Sequence, residues 1–178
     1  MSFPDHAIEI ITTRLRLLPA SPVWLKEIAV EFTPEITRYM SIDPHGDPNM
    51  AEDFINRSQQ QLQNGTDLEL CILEKETYGF LGCCALHHLN TPAIEIGLWI
   101  KKTAHGNGYG TEVVQALMAW ATDHFSFEYF YYTVDKENLP SIKIPEKLGF
   151  LLAAQYPKKK TEDKYLNMLE YRLERRDR

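Results

Sequence analysis

The chain has 178 residues, of which 44% are hydrophobic and 25% are charged, and its formal net charge is −6. This balance is typical of globular proteins and excludes a disordered chain. The apolar runs are far shorter than the ~20 residues of a membrane-spanning helix. We therefore predict one domain over residues 1–178 with no membrane segment. The acidic balance and the lack of a clustered basic face argue against nucleic-acid binding.

The three cysteines and the opening MSFPDHAIEI predict a reduced compartment. An odd number of cysteines, with Cys83 and Cys84 adjacent in an apolar stretch, is unsuited to a disulfide framework. The opening has no basic region followed by an apolar one, so we expect no secretory signal and a cytoplasmic location. His87 and His88 lie nearby, but neighbouring side chains on a strand point to opposite faces, so we predict no metal site.

The first third of the chain predicts a strand followed by helices. Residues 13–18 alternate arginine with leucine, which is the period of a half-buried strand. Helical patterns follow at residues 24–29 and 34–40, and a longer one covers residues 49–63. The segment SIDPHGDP at 41–48 is dense in turn-forming residues and predicts a loop.

Strands dominate the rest of the chain. They are separated by helical patterns after residue 110 and near Asn138, and strands in alternation with helices predict an α/β (α+β) fold. We expect a mixed central sheet of about seven strands with helices on both faces. The predicted strands cover residues 68–73, 79–87, 94–100, 127–134, 149–156 and 165–172.

The most informative stretch is IEIGLWIKKTAHGNGYGTEVVQALMAWA at residues 94–121. A predicted strand passes through Gly106, Gly108 and Gly110 into an amphipathic helix. Because glycines permit positive φ and a helix N-terminus offers unpaired N–H groups, the turn predicts an anion cradle for a phosphate or pyrophosphate. The spacing fits neither a dinucleotide fingerprint nor a P-loop, and a glycine turn that binds no ligand is the alternative.

Three motifs, in this order, resemble the GNAT superfamily of acetyltransferases. The glycine turn is similar to the family's acyl-CoA signature: Gly108 and Gly110 match its small positions, and His105 stands where Arg or Gln is usual. NLPS at 138–141, followed by EKLGF at 146–150, resembles a block of the RimJ/RimL-type branch. The strand TRLRL at 13–17 resembles the opening of that branch.

This resemblance implies the GNAT acyl-CoA N-acyltransferase fold with a splayed central strand pair. It also implies an N-acetyltransferase that moves an acetyl group from acetyl-CoA to a primary amine. The pyrophosphate would lie on the amides of residues 105–111, and the pantetheine arm would run beside the 94–100 strand, opposite a strand ending near Val134. The acetyl-CoA-binding residues implied in this way are Leu98, Trp99, Ile100, His105, Gly106, Asn107, Gly108, Tyr109, Gly110, Thr111 and Asn138.

Ser141 and Glu95 are the candidate catalytic residues. By resemblance Ser141 lies near the sulfur, where it would protonate the leaving thiolate; an N-cap role for Asn138 or Ser141 is the purely structural alternative. Glu95 is the one carboxylate in the 94–100 strand and is the first candidate for the base, acting through a water, with Glu69 in reserve. A contact to the acceptor amine or to solvent is the alternative for Glu95.

Pro145 lies inside the helix expected from Pro140 to Leu148. It removes the N–H that would bond the carbonyl of Ser141, so we expect a distortion within residues 141–146.

The sequence does not identify the acceptor amine, so a protein N-terminus and a small amine are the alternatives. By resemblance, residues 32–50 would shape the acceptor groove; a helical hairpin that merely covers the sheet is the alternative. A non-catalytic acyl-CoA-binding sensor or structural module is the alternative function. The sequence also leaves open whether the chain forms a homodimer.

Overall fold

The structure is a computed structural model and describes residues 8–42, 47 and 49–175. The strands are β1 (Ile10–Ile11), β2 (Leu15–Pro19), β3 (Leu68–Glu74), β4 (Phe80–His87), β5 (Ala93–Ile100), β6 (Tyr129–Asp135), β7 (Leu151–Thr161) and β8 (Lys164–Glu174). The α-helices are α1 (Leu25–Glu31), α2 (Met50–Asn64), α3 (Tyr109–His124) and α4 (Leu139–Lys147). Short 3₁₀ helices cover Pro22–Trp24, Ile36–Tyr39 and Lys102–Ala104. Most of the predicted 41–48 loop lies outside the described residues.

The strands form one sheet in the order β1-β2-β3-β4-β5-β6-β8-β7. The pair β5–β6 is parallel and the other pairs are antiparallel. The predicted mixed α/β sheet is therefore confirmed. Within the described residues it has eight strands where about seven were expected, because the two residues of β1 add a short edge strand.

The parallel pair β5–β6 separates partway along its length. Its register runs from Ala93↔Tyr129 to Glu95↔Tyr131 and then stops. Both strands continue beyond that point, since β5 stays paired with β4 as far as Ile100 and β6 stays paired with β8 as far as Asp135. The predicted splayed strand pair is confirmed, and none of the strands in the described part of the chain pairs with one edge of residues 96–100.

Helices cover both faces of the sheet. On the α3/α4 face, Ile94 and Ile96 of β5 are buried with Val113 and Leu117 of α3. The intervening residues of β5 point to the α1/α2 face, because successive side chains of a strand alternate. Burial of each large aliphatic side chain contributes roughly 1.5–3 kcal/mol, so this alternation fixes which β5 residues face which helix pair.

Helical conformation continues through Pro145. The helix α4 is assigned without interruption from Leu139 to Lys147, so the expected distortion does not take the form of a break. Pro145 lies in the last turn of a short helix and is buried. Its missing N–H removes a single bond near the helix end, where the amides of Leu148 and Phe150 bond back to the carbonyl of Pro145.

A testable consequence concerns Gly82, which lies opposite Ile100 in the β4–β5 ladder. A Cβ at this position would lie 2.1 Å from the backbone oxygen of Trp99 and 2.9 Å from the Cα of Ile100. Because a backbone atom yields little, we expect Gly82→Ala to lower the free energy of unfolding by about 3 kcal/mol. Chemical denaturation measures this loss.

Gly97→Ala is the matched control on the neighbouring strand. A Cβ at Gly97 would meet His87 Nε2 at 3.6 Å, an ordinary contact distance. The control should change the unfolding free energy by less than about 1 kcal/mol. Equal losses in the two variants would contradict the tight β4–β5 approach at Gly82.

Candidate active site

The turn between β5 and α3 presents unpaired backbone N–H groups at one end of the sheet. Gly106 and Gly108 have left-handed φ values of 78° and 76°, and α3 begins at Tyr109. The amide of Glu112 bonds to the carbonyl of Gly108 at 3.3 Å. The amides just before it lie in the first turn, where no helical acceptor is available and the helix dipole is positive. This arrangement suits an anion.

Gly110 serves packing and not backbone conformation. Its φ is not positive, in contrast to Gly106 and Gly108, so the expectation that all of these glycines allow a left-handed backbone is wrong for this one. A Cβ on Gly110 would lie 2.7 Å from Ile144 Cδ1 and 3.5 Å from Leu98 Cδ1. The missing side chain lets α4 approach the first turn of α3.

His105 and Asn107 tie the turn to its own ends. His105 Nε2 donates to the carbonyl oxygen of Ile100 at 2.6 Å. Asn107 Nδ2 donates to the carbonyl of Ala104 at 3.0 Å. His105 therefore stabilises the turn in the position where the resembled signature has Arg or Gln.

Arg14 and Glu112 form a clamp behind the glycine turn. Arg14 donates from Nε and Nη2 to Glu112 Oε2, each at 2.7 Å, and from Nη1 to the carbonyl of Asn107 at 2.9 Å. Thr12 Oγ1 donates to Glu112 Oε1 at 2.6 Å. Burial by itself would raise the pKa of Glu112, but the hydrogen bonds from Thr12 and Arg14, with the charge of Arg14, lower it. The Arg14 guanidinium also lies 4.6 Å from the Tyr109 ring centre.

This clamp was not predicted from the sequence. Arg14 was expected inside the opening strand, whereas it lies directly before β2, and Glu112 had no predicted role. The sequence does contain an indication of the clamp, because Glu112 is an acidic residue in the first turn of the helix that carries the anion cradle. Such a carboxylate competes with an anion unless a cation neutralises its charge. Which cation does so is set by the distance between β2 and α3 in the fold.

The unpaired edge of β5 contains Leu98, Trp99 and Ile100. The Leu98 side chain lies on the α3/α4 face close to Gly110. The Trp99 side chain lies on the opposite face, with ring centres 5.1 Å from Phe32 and 5.9 Å from Phe80. These residues therefore share a free backbone edge, and their side chains point in different directions.

Ser141, in the first turn of α4, is placed against β6. Its Oγ lies 2.7 Å from the hydroxyl oxygen of Tyr132, which is the first β6 residue beyond the last β5–β6 pair. Burial raises the pKa of Tyr132 to about 12, and the hydrogen bond with Ser141 acts in the opposite direction. Asn138 occupies the N-cap position and makes no side-chain capping hydrogen bond. Side-chain capping therefore does not account for Asn138.

Glu95 lies at the point where the strands separate, on the α1/α2 face. Thr133 Oγ1 donates to Glu95 Oε1 at 2.8 Å. Burial raises the pKa of Tyr131, and the charge and hydrogen bond of Glu95 raise it further. Tyr131 in turn is 2.7 Å from His88 Nδ1. Glu95 is thus held by two hydroxyl groups of β6.

A groove of about 830 Å³ opens on the α1/α2 face between these helices and the strands β4 and β5. Its lining includes Phe32 and Met40 from the predicted acceptor segment, together with Trp99, His87 and Glu69. Burial raises the pKa of Glu69, whereas the charges of His87 and Arg57 act to lower it. The role of residues 32–50 in acceptor selection remains a prediction.

Within the described ranges, no group of three or more His, Cys, Asp or Glu side chains is arranged to hold a metal ion. Over the same residues, no helix has the length and apolar character needed to span a membrane. Cys71, Cys83 and Cys84 are free and buried.

Known proteins resemble this chain in sequence. The family described as Acetyltransferase (GNAT) domain matches residues 14–151. The chain is 30% identical over 119 residues to the uncharacterized N-acetyltransferase p20 of Bacillus licheniformis, a match covering 66% of this chain and 67% of that protein.

Solved structures share the fold at low sequence identity. An acetyl transferase from Salmonella typhimurium that modifies the N-terminal serine of ribosomal protein L7/L12 superposes with a TM-score of 0.83 at 15% identity, covering 95% of this chain and 100% of that one. A spermidine N-acetyltransferase from Vibrio cholerae, in complex with CoA and spermine, gives a TM-score of 0.79 at 14% identity, covering 92% and 96%.

The clamp predicts a pH-dependent contribution to stability. Because the folded-state pKa of Glu112 is lowered, its contribution is present above the unfolded pKa of about 4.3 and is lost as the pH falls through the folded pKa. We expect Glu112→Gln to lower the free energy of unfolding by about 1–3 kcal/mol at pH 7. The difference from wild type should shrink below about pH 4.

Glu52→Gln is the matched control, since Glu52 is an exposed carboxylate in the first turn of α2. It should cost no more than about 1 kcal/mol, the usual size of a helix-dipole effect. Urea unfolding at a series of pH values measures both variants. Losses in Glu112→Gln that match the control at every pH would contradict the clamp.

Proposed function

The chain belongs to the GNAT acetyltransferase family, and from that premise we propose that it moves an acetyl group from acetyl-CoA to a primary amine. The observation that carries the proposal is the loss of β5–β6 pairing after Glu95↔Tyr131, directly beside the glycine turn. An unpaired strand edge next to a helix N-terminus offers amide hydrogen-bonding partners and anion-binding N–H groups together. Coenzyme A, with peptide-like amides and a diphosphate, needs both.

The residues present fit acetyl-CoA. The amides of residues 106–111 would hold the pyrophosphate; the amide of His105, which the sequence prediction of 105–111 included, donates to the carbonyl of Lys102 at 3.2 Å. The free edge of residues 98–100 would pair with the pantetheine amides. Asn138, whose side chain makes no capping bond, is available for a further contact. Acetyl-CoA would supply the activated thioester, and the chain's task would be to bind it and bring the amine to it.

Ser141 is our proposed proton donor to the departing sulfur. Tyr132 is only 3% exposed, and with a pKa of about 12 it stays protonated near neutral pH. When the Tyr132 hydroxyl donates to Ser141 Oγ, the Ser141 proton is free to point elsewhere, towards the gap between β5 and β6. Glu95, held by Thr133 and Tyr131, fits the role of a contact for the acceptor amine better than that of a mobile base.

The acceptor is either an N-terminal α-amine of a protein or a small amine, within the RimJ/RimL-like branch. The Salmonella and Vibrio structures are named for a protein N-terminal serine and for spermidine, respectively. A single domain and a cytoplasmic location remain predictions for this chain.

Thiol release from acetyl-CoA tests the proposal. The full chain is assayed against a panel of peptides with free N-termini and of polyamines, and the acetylated product is identified by mass spectrometry. Turnover with a panel member supports the enzyme. Tight acetyl-CoA binding without any turnover would favour the alternative, a non-catalytic acyl-CoA-binding module.

The role of Ser141 predicts a specific kinetic change. Ser141→Ala should lower kcat by about 10²–10⁴-fold, because general acid catalysis contributes a factor of this size. The Kd for acetyl-CoA, measured by calorimetry, should stay within about threefold of wild type. Ser126→Ala, which alters an exposed serine outside the site, is the control and should leave both values unchanged. A kcat that survives in Ser141→Ala would assign the proton donor elsewhere.

A further inference from the structure

His87, the last residue of β4, is held in one orientation by Asp67, the residue directly before the neighbouring strand β3. Its Nδ1 lies 2.9 Å from Asp67 Oδ1, and 3.9 Å from Glu69 Oε1. Because a carboxylate accepts, Nδ1 carries a proton and donates to Asp67, so in the neutral form of the imidazole Nε2 is the nitrogen that can accept a proton. A base oriented by a third group is the arrangement used in nucleophile and proton-transfer sites.

The exposure of these side chains sets the direction in which His87 can act. The His87 side chain is 29% exposed, whereas those of Asp67 and Glu69 are 11% and 12% exposed. His87 lines the groove on the α1/α2 face. Asp67 is not part of the groove lining and lies behind the imidazole, whereas Glu69 lines the groove beside it. The imidazole itself faces the space that an acceptor would enter.

Gly97 opens the space next to His87 Nε2. It lies across the β4–β5 ladder, two residues beyond Glu95, the last β5 residue paired with β6. A Cβ at Gly97 would be 3.6 Å from His87 Nε2. Any larger side chain there would cover this nitrogen, so the glycine leaves Nε2 open over the splayed edge of β5.

We propose that His87 is the base that accepts the proton of the acceptor amine, with Asp67 as its positioning residue. This inference rests on the proposed function. Glu95 is less suited to the task, since Thr133 and Tyr131 already hold its carboxylate. His87 and Ser141 lie on opposite faces of the sheet, with the gap between β5 and β6 between them, so an amine and a leaving sulfur have separate proton partners.

His87, Ser141 and solvent together account for every proton in the proposed reaction. The amine nitrogen forms a bond to the acyl carbon, and the carbon–sulfur bond breaks with its electron pair on sulfur. An ammonium loses two protons in becoming an amide. Both leave through His87 Nε2, which passes each of them to solvent in turn. Ser141 gives its proton to the sulfur and regains one from solvent, so one proton is released per turnover.

The charged surroundings of His87 are mixed in sign. Asp67 and Glu69 on the β3 side approach Nδ1, and the charge of Arg57 on α2 reaches Glu69. The cross-strand partner of His87 is Glu95, and the ring of His88 lies 6.3 Å away. A pH profile of activity therefore has to be read against variants of His87 itself.

The test uses the full chain and an acceptor found by thiol release. His87→Gln should lower kcat/KM for the acceptor by about 10²–10⁴-fold and remove one ascending limb of the pH profile. Acetyl-CoA binding by calorimetry should stay within about threefold. His124→Gln, which alters a histidine bonded to the Trp120 carbonyl at the far end of α3, is the matched control and should leave turnover unchanged.

A second variant guards against loss of folding in the first. His87→Ala leaves a space beside Gly97 that imidazole can enter, so added imidazole should restore part of the turnover of this variant. Asp67→Asn should lower kcat more than KM. In long-range ¹⁵N spectra the same variant should shift His87 away from the tautomer protonated at Nδ1, a change that a merely structural role would not produce.

Three results would count against the assignment, and failure of the proposed function is distinguishable from the other two. If wild type turns over an acceptor and His87→Gln retains kcat/KM within about threefold, His87 is not the base although the proposed function stands. If wild type binds acetyl-CoA but releases no thiol with any acceptor, the proposed function fails and the role of His87 fails with it. A loss of turnover in His87→Ala that imidazole leaves unchanged also counts against His87.

Discussion

The site depends on one break in backbone hydrogen bonding, where β5 and β6 stop pairing after Glu95↔Tyr131. Each strand is held on its other side, β5 by β4 and β6 by β8, so the gap is a fixed feature of the sheet. The free edge of residues 96–100 therefore has backbone groups that suit pairing with an extended molecule that carries amide groups.

The glycine turn offers backbone N–H groups that suit an anion. Contacts from α4 and from Arg14 hold the shape of the turn. Left-handed Gly106 and Gly108 turn the chain into α3, while Gly110 admits Ile144 of α4. Arg14, the residue directly before β2, bonds to both Glu112 and the carbonyl of Asn107. Because Glu112 is neutralised by Arg14, the positive end of α3 remains available to a ligand.

The sheet also separates the two proton transfers that the proposed reaction needs. Ser141 and Tyr132 meet on the α3/α4 face, and His87, with Asp67 behind it, faces the groove on the α1/α2 face. A strand alternates its side chains, so neighbouring residues of β5 and β6 serve opposite faces. The gap between these strands connects the two faces of the sheet.

Periodicity, turn residues and motif order determined the mixed sheet, the placement of most elements, the glycine turn and the splayed pair, because these are local patterns or carry a family resemblance. Local pattern could not distinguish Gly110 from its left-handed neighbours, since its requirement comes from Ile144, which lies 34 positions later in the chain (144 − 110). The contacts Arg14–Glu112 and Asp67–His87 could not be predicted for the same reason. Arg14 meets Glu112 only when the start of β2 packs near α3, and Asp67 meets His87 only when the start of β3 lies beside the end of β4. The sequence by itself determines which side chains are available and which face of a strand or helix each one takes. Only the tertiary structure decides which distant charged groups lie within hydrogen-bonding distance, because these distances depend on register and packing across the whole sheet.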